Sequence, residues 1–233
     1  IATKYFDMAR LDGTDEERQK SREKVVNNYE YVKNELAANN SVKQYSQGQN
    51  PLSPSNLPWK LKGSDRDYSS GIGLAVTPEY LEMLELEIVE GRFFERERDE
   101  SRGPQIVINE AAKKYWEISD ISKARILNKY WSLPQMGLAG GYEIIGVVKN
   151  FNCEHLSKIP KPMYMYYMDD IFSNFLIEFE PGATQAGLQF AEQLFNKVNP
   201  GETFQYTFLS DEVESLYQKE KRLSKIYIIF TII

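Results

Sequence analysis

The stretch Gln105-Ile106-Val107-Ile108-Asn109-Glu110-Ala111-Ala112 changes from a strand pattern to a helix pattern at a single residue. Its first four residues form a short, mostly apolar run, which is typical of a buried strand. Asn109 is a common helix cap, because its side-chain oxygen accepts a hydrogen bond from a backbone N–H at the helix start. Small and aromatic residues then continue the helix: Ala111, Ala112, Tyr115 and Trp116. The stretch predicts a strand joined directly to a helix, and hence a mixed fold.

The residues upstream repeat this alternation of strand and helix. Ile72, Leu74 and Val76 alternate with smaller residues, at the period of two expected for a strand. Thr77-Pro78-Glu79-Tyr80 predicts a short helix, with the Thr as its cap and the Pro at the first helical position. Residues 85–89 predict a further strand, closed by Glu90-Gly91.

The N-terminal part of the chain predicts one long helix over residues 15–38. Thr14 and Glu17 have the spacing of a capping box, in which each side chain bonds the backbone of the other residue. The face that should be buried recurs at spacings of four, three and four: Val25, Tyr29, Val32 and Leu36.

Downstream, the patterns predict strands over 142–148, 162–167, 175–179 and 203–209. A helix is predicted from Thr184 to Asn199-Pro200-Gly201, and a last helix from Ser210. The whole pattern predicts an α+β fold, with one long helix near each end of the chain.

The last nine residues, Lys225 to Ile233, are almost entirely apolar and follow a basic segment. Nine residues cannot cross a bilayer, which needs roughly 20. We interpret residues 225–233 as the start of a transmembrane helix, and a buried terminal element is the alternative. The first residue is Ile1 rather than Met, so we expect a piece of a longer protein.

The composition excludes several classes of site. There are 28 Lys and Arg against 34 Asp and Glu, giving a net charge of −6, which does not favour a nucleic-acid partner. One Cys and one His rule out an internal disulfide and most Cys- or His-rich metal sites.

Two clusters of reactive residue types lack the pattern of a functional site. Cys153 and His155 are two positions apart, but no further activating residue accompanies them. The carboxylates of the 95–102 segment alternate with arginines, which is typical of a solvated loop rather than a metal site. We therefore expect no catalytic residue, no metal and no cofactor.

Four stretches in order resemble MacB-like periplasmic core domains. They are Val76-Thr77-Pro78-Glu79-Tyr80 with Glu90-Gly91-Arg92-Phe93-Phe94, then Val107 to Ala112, then Tyr142 to Phe151, and then Glu220 to Leu223. The resemblance covers nearly the whole chain. It departs from the family pattern over residues 117–141, where the usual glycine-containing turn is missing and the segment is expanded.

The family resemblance implies an extracytoplasmic domain of an FtsX/MacB-type ABC-transporter permease, inserted between two transmembrane helices. It implies two lobes. A porter-like β-α-β lobe would comprise residues 1–78 and 166–224, and an inserted, mixed α/β (Sabre-like) lobe would comprise 79–165. The family-motif positions are expected to be structural: Thr77, Pro78, Tyr80, Gly91, Arg92, Phe93, Asn109, Glu110, Gly146, Val147 and Phe151.

The resemblance also implies a function that is not catalysis. The domain would couple ATP-driven motion of the transmembrane helices to a substrate or partner, in export, lipoprotein handling or mechanotransmission. Its partners would be a cytoplasmic ABC ATPase, the inner membrane through flanking helices, and a periplasmic adaptor, lipoprotein or peptide. The isolated chain is expected to be a monomer. A ligand-sensing domain of a membrane receptor and a soluble enzyme are the alternatives.

Overall fold

The computed structural model describes residues 1–3, 14–99, 104–132, 139–151, 153, 159–167 and 174–215. The strands are β1 (Ala2–Thr3), β2 (Val42–Gln47), β3 (Ser55–Leu61), β4 (Ser69–Val76), β5 (Ile88–Gly91), β6 (Gln105–Asn109), β7 (Arg125–Asn128), β8 (Tyr142–Val148), β9 (Met163–Tyr167), β10 (Phe175–Phe179) and β11 (Tyr206–Thr207). The α-helices are α1 (Asp15–Ala38), α2 (Tyr80–Met83), α3 (Arg96–Asp99), α4 (Glu110–Tyr115) and α5 (Thr184–Val198). A 3₁₀ turn spans Ile121–Lys123, and residues 209–215 are helical.

Helix α1 has the bounds and the cap that the sequence predicts. The Thr14 side chain accepts a hydrogen bond from the Glu17 N–H, and the Glu17 carboxylate accepts one from the Thr14 N–H at 2.7 Å. Among the described residues, the second half of α1 packs on the rest of the protein, whereas residues 15–24 are polar and mostly exposed. The predicted face is fully buried: Val25, Tyr29, Val32 and Leu36.

The smaller sheet has the strand order β11-β1-β10-β2 and is antiparallel throughout. Its outer face is covered by α1 and α5, whose apolar side chains share one core with Phe175 and Ile177. Each large apolar side chain in such a core contributes about 1.5–3 kcal/mol to folding. This core therefore holds the buried half of α1 against the sheet.

The larger sheet has the order β5-β8-β6-β9-β4-β3-β7, and β7 also pairs with β8. This second pairing closes six strands into a ring, β8-β6-β9-β4-β3-β7, with β5 attached outside it. The closing contact joins Arg125 to Glu143 and Ile126 to Tyr142. A closed ring has no free edge among its own strands, so the 117–141 segment completes this sheet.

Aromatic side chains fill the inside of the ring. Trp59 stacks on Tyr164 with ring centroids 4.6 Å apart, and the Trp116 indole N–H donates to the Tyr164 hydroxyl at 2.6 Å. Gly71 makes room for Tyr164, because a Cβ atom at that position would lie closer than 3.0 Å to the Tyr164 ring. The small residues that the sequence showed in β4 therefore face bulky neighbours on β9 and β3.

The two sheets are joined through a shared core and through the backbone. Ala2 and Leu176 of the smaller sheet belong to the same apolar cluster as Leu74 and Val76 of the larger one. The Gln49 N–H donates to the Ala75 carbonyl at 2.8 Å. The α+β class is as predicted, and the sheets pack directly on each other.

The division between the sheets differs from the lobe boundaries predicted at 78/79 and 165/166. Strands β3 and β4 precede residue 79 but belong to the larger sheet, and β9 crosses residue 165. The cause is the parallel pairing of β4 with β9, from Ile72–Met163 to Val76–Tyr167. This pairing ties residues 55–76 to the middle of the chain instead of to its ends.

Two shorter elements also differ from prediction. The predicted strand over 85–89 starts later, at Ile88, because Glu85 has a left-handed backbone with φ of 49°. The strand predicted over 203–209 is confined to Tyr206–Thr207. Residues 225–233 lie outside the described residues.

Candidate functional site

The family-motif positions lie along the strands of the larger sheet and the segments that follow them. They lie at three places: the β5–β8 pair, the junction of β6 with α4, and the end of β4. Among the described residues, no group of three or more His, Cys, Asp and Glu side chains could hold a metal ion.

The first place is the β5–β8 pair, where Gly91 lies opposite Gly146. A Cβ atom on either glycine would come closer than 3.0 Å to backbone atoms of the opposite strand, and Gly91 also has a positive φ of 70°. The Arg92 N–H continues the pairing by donating to the Ile145 carbonyl at 3.0 Å. Both glycines are therefore required by the close approach of two backbones.

Arg92 holds a buried carboxylate next to this pair. Its guanidinium donates two hydrogen bonds to Asp99, at 2.5 and 2.7 Å, and the Glu95 N–H donates a third at 2.8 Å. The Asp99 side chain is 1% exposed. Burial raises the pKa of Asp99, but the hydrogen bonds from Arg92 and Glu95 outweigh it and hold that pKa below its ordinary value.

The acidic and basic residues after Phe94 are thus only partly the solvated loop that the sequence predicted. Glu95 and Arg98 are exposed, as expected, but Asp99 is buried. Arg92, seven residues earlier in the family motif, is the partner that permits this burial. Arg92 and Asp99 belong to no common helix or strand, so their spacing in the sequence did not indicate this pair.

The second place is the start of α4, where Asn109 is completely buried. Its Oδ1 accepts from the N–H of Ala112 and from the N–H of Met163, both at 2.9 Å, and its Nδ2 donates to the Lys161 carbonyl at 2.9 Å. The predicted cap is confirmed. The same side chain also fixes the entry into β9, which the sequence could not show.

Glu110 and Asn150 tie α4 to the end of β8. The Glu110 carboxylate accepts from the Asn150 N–H at 3.0 Å, and Asn150 Oδ1 accepts from the Ala111 N–H at 2.9 Å. Val147 is fully buried in the ring, and Phe151 packs against the core that the two sheets share. These contacts tie α4 and the end of β8 to each other and to the two cores.

The third place lies at the end of β4, where the larger sheet meets the smaller one. The Thr77 hydroxyl is 3.2 Å from the Ser46 hydroxyl of β2, and the buried Tyr80 hydroxyl donates to the Gln49 carbonyl at 3.0 Å. The Pro78 carbonyl accepts from the N–H of Leu81 at 3.2 Å. The prediction that Thr77 caps α2 was wrong, since α2 has no side-chain cap.

An ion pair borders this contact. Arg96 of α3 donates to the Glu79 carboxylate at 2.8 Å. Burial raises the pKa of Glu79, but hydrogen bonds from Arg96 and Thr77 bring it below the ordinary value. Glu79 is thus held ionised between α2 and α3, where it stabilises the meeting point of the two sheets.

The reactive pair considered from the sequence is not brought together in the described part of the protein. Cys153 is buried in the shared core, with a reduced thiol. His155 lies outside the described residues. None of the helices in the described ranges is both long enough and apolar enough to cross a membrane.

Comparison with known proteins agrees with this fold. The sequence profile of the MacB-like periplasmic core domain matches residues 14–193. No curated protein matches the chain significantly in sequence. The periplasmic region of MacB from Actinobacillus actinomycetemcomitans superposes with a TM-score of 0.56 at 12% identity, over 81% of each chain.

A second solved structure shows the same fold. The extracellular domain of the noncanonic ABC-type transporter YknZ from Gram-positive bacteria superposes with a TM-score of 0.55. The sequences are 16% identical, and the match covers 77% of this chain and 88% of that one. The match of the family profile to more than half of the chain, together with the shared fold, leads to one conclusion: this chain belongs to the family of MacB-like periplasmic core domains.

Proposed function

We propose that this chain is the non-catalytic extracytoplasmic domain of an inner-membrane ABC-transporter permease. It would pass motion of the transmembrane helices, driven by a cytoplasmic ATPase, to a substrate or partner protein. Family membership supports the placement, and the direct packing of one sheet on the other supports the mechanical role. In the described residues the motif positions serve as joints between elements, so we propose that they are structural.

The observation that carries the proposal is the connection between the smaller sheet and the ring. Ala2 of β1 pairs with Thr207 of β11, so the first and last strands are neighbours. Both belong to the smaller sheet, which contacts the ring through Ser46–Thr77 and Gln49–Tyr80. A displacement applied near β1 and β11 therefore reaches the ring through hydrogen bonds and packed side chains rather than through a flexible linker.

We also propose a revised lobe organisation. A porter-like lobe consists of the smaller sheet with α1 and α5, and an inserted lobe consists of the ring, β5 and their helices. The polar residues 15–24 of α1 and the helix that begins at residue 209 would lie side by side as a stalk toward the membrane. A helix that is polar all round is stable when it bridges two bodies or pairs with another helix.

The experiment uses the complete permease with its ATPase in liposomes. Deleting residues 212–215 removes about one helical turn, and so changes the length and the rotation of the proposed stalk. We expect ATP hydrolysis to persist while transport or partner activation is lost. Replacing the same four residues by alanine keeps the helix length and should leave coupling intact. Equal coupling in the deletion and the alanine variant would contradict the lever.

A further inference from the structure

A strip of cationic side chains lies on the outer side of strands β3 and β7. Lys60 in β3 and Lys62 directly after it alternate with the inward residues Trp59 and Leu61. Arg125 and Lys129 occupy the outward positions around β7, beside the inward Ile126. We call Lys60, Lys62, Arg125 and Lys129 the basic strip.

The basic strip is unusual in a chain with a net charge of −6. Residues 55–62 and 123–132 contain no Asp or Glu at all. Three lysines elsewhere on the described fold pair with carboxylates of a neighbouring element. These pairs are Lys43 with Glu178, Lys149 with Glu87, and Lys113 with Glu90. These three cations have carboxylate partners, which the basic strip lacks among the described residues.

The described residues place no carboxylate oxygen within 4.0 Å of the side-chain nitrogens of the basic strip. The strip's polar contacts are to neutral carbonyl groups. Lys62 donates to the Gly140 carbonyl at 3.1 Å, and Arg125 donates to the Ala124 carbonyl at 2.9 Å. Its positive charge is thus available to a partner.

The borders of the basic strip give it a limited size. Glu143 of β8 lies opposite Arg125 in the sheet register, and Asp65 and Asp67 follow Lys62 in the turn to β4. Tyr130, which follows the strip at the end of β7, is 57% exposed. The result is a narrow cationic face with an exposed aromatic ring at one end.

The geometry favours an extended polypeptide as the partner. Outward residues on one strand are about 7 Å apart, and the same spacing separates alternate side chains of an extended peptide. Carboxylates at every second position of such a peptide could meet both Lys60 of β3 and Lys62, which directly follows that strand. Insertion into a membrane interface is favoured by protruding apolar residues beside the charges, whereas Leu127 and Pro58 on this face are half-buried and Tyr130 lies at its end.

We propose that the basic strip is a docking surface for an extended, acidic segment of a partner protein. The proposal adds the chemistry of the partner to the proposed function. It rests on that function, because only the proposed function implies that a partner protein exists. A binding assay on the domain involves no ATPase, so either proposal can fail while the other stands.

The test uses the 233-residue chain and a fluorescein-labelled peptide of about ten residues, in which Glu alternates with Thr. Fluorescence anisotropy should show binding that weakens as salt is raised. The variant Lys60→Glu/Lys129→Glu should bind about tenfold more weakly or not at all. The matched control, Lys20→Glu/Lys24→Glu on α1, changes the net charge equally and should bind like the wild type.

Circular dichroism must show that both double variants fold. Equal loss of binding in the two variants would show that the net charge of the chain, and not the position of the lysines, determines binding. This result would overturn the proposal. Absence of salt-dependent binding to the Glu peptide overturns it, as does equal binding to a Gln-Thr peptide. Binding to vesicles containing phosphatidylglycerol, without binding to the peptide, would identify a membrane surface instead. Self-association in light scattering that is lost in the Lys60→Glu/Lys129→Glu variant would identify a second copy instead.

Discussion

Gly91 and Gly146 face each other across strands β5 and β8, and neither position has room for a side chain. The contact explains two positions of the family motif by one physical cause. A methyl group at either glycine would meet backbone atoms, which cannot move aside as a flexible side chain can.

Gly146→Ala should therefore destabilise the domain by about 3 kcal/mol, because the added methyl group would push β5 away from β8. Urea unfolding followed by circular dichroism measures the change. Gly140→Ala is the control, since a Cβ atom there would have nothing within 4 Å, and should change stability by less than about 0.5 kcal/mol. Similar losses in both variants would show that the crowding at Gly146 is not the cause.

Removing the charge of Asp99 should cost about 3 kcal/mol at neutral pH, because Arg92 would lose its buried partner. The folded-state pKa of Asp99 is lowered, so its stabilising effect is present above the unfolded-state pKa of about 3.9. That effect is lost as the pH falls through the lower folded-state pKa.

Unfolding free energies of the wild type and Asp99→Asn test this at several pH values. The gap between the two proteins should be widest at pH near 7 and should shrink progressively below about pH 4. Glu95→Gln, at an exposed residue of the same segment, is the control. A gap that is independent of pH would mean that Asp99 acts through its shape and not through its charge.

The sequence predicted the elements whose determinants are local. Helix α1 carries its cap and its buried face within one continuous segment, so its bounds followed from spacing alone. The capping role of Asn109 followed for the same reason. Its second bond, to the Met163 N–H, depends on a strand far along the chain and left no local signal.

The closed ring and the burial of Asp99 could not be predicted, and the reasons differ. Strand β7 has four residues, and its identity as a strand depends on its partners β3 and β8. The parallel pairing of β4 with β9, which places residues 69–76 in the larger sheet, is equally non-local. Asp is typical of a solvated loop. Asp99 can be buried because the Arg92 guanidinium compensates the loss of hydration of its carboxylate.

Asn109→Ala should cost about 3 kcal/mol, since it removes a helix cap and leaves the buried Met163 N–H without an acceptor. Asn150→Ala is the matched control, because Asn150 Oδ1 also accepts from an α4 N–H but is exposed. Its loss should be at most about 1 kcal/mol, as water can replace it. Thermal unfolding of the two variants measures both losses of stability. Equal losses would show that the hydrogen bond from the Met163 N–H to Asn109 does not stabilise the entry into β9.

The segment 117–141, where the sequence departs from the expected family pattern, should stabilise the domain through β7. Ile126 is fully buried inside the ring, whereas the next residue, Leu127, faces outward and is half-buried. Ile126→Ala should cost about 3 kcal/mol, because it opens a cavity next to Leu61 and Tyr142. Leu127→Ala should cost less than about 1.5 kcal/mol, because it removes fewer buried contacts.

Near-ultraviolet circular dichroism gives an independent measure of the ring. Trp59 lies edge-on to Tyr142 with centroids 6.2 Å apart and stacks on Tyr164, so these aromatic rings should give a strong signal when held rigidly. Ile126→Ala should weaken this signal in the folded state, and Leu127→Ala should leave it unchanged. Equal stability and equal spectra in the two variants would show that β7 lies against the ring without closing it, because only a closing strand inserts alternate side chains into the interior.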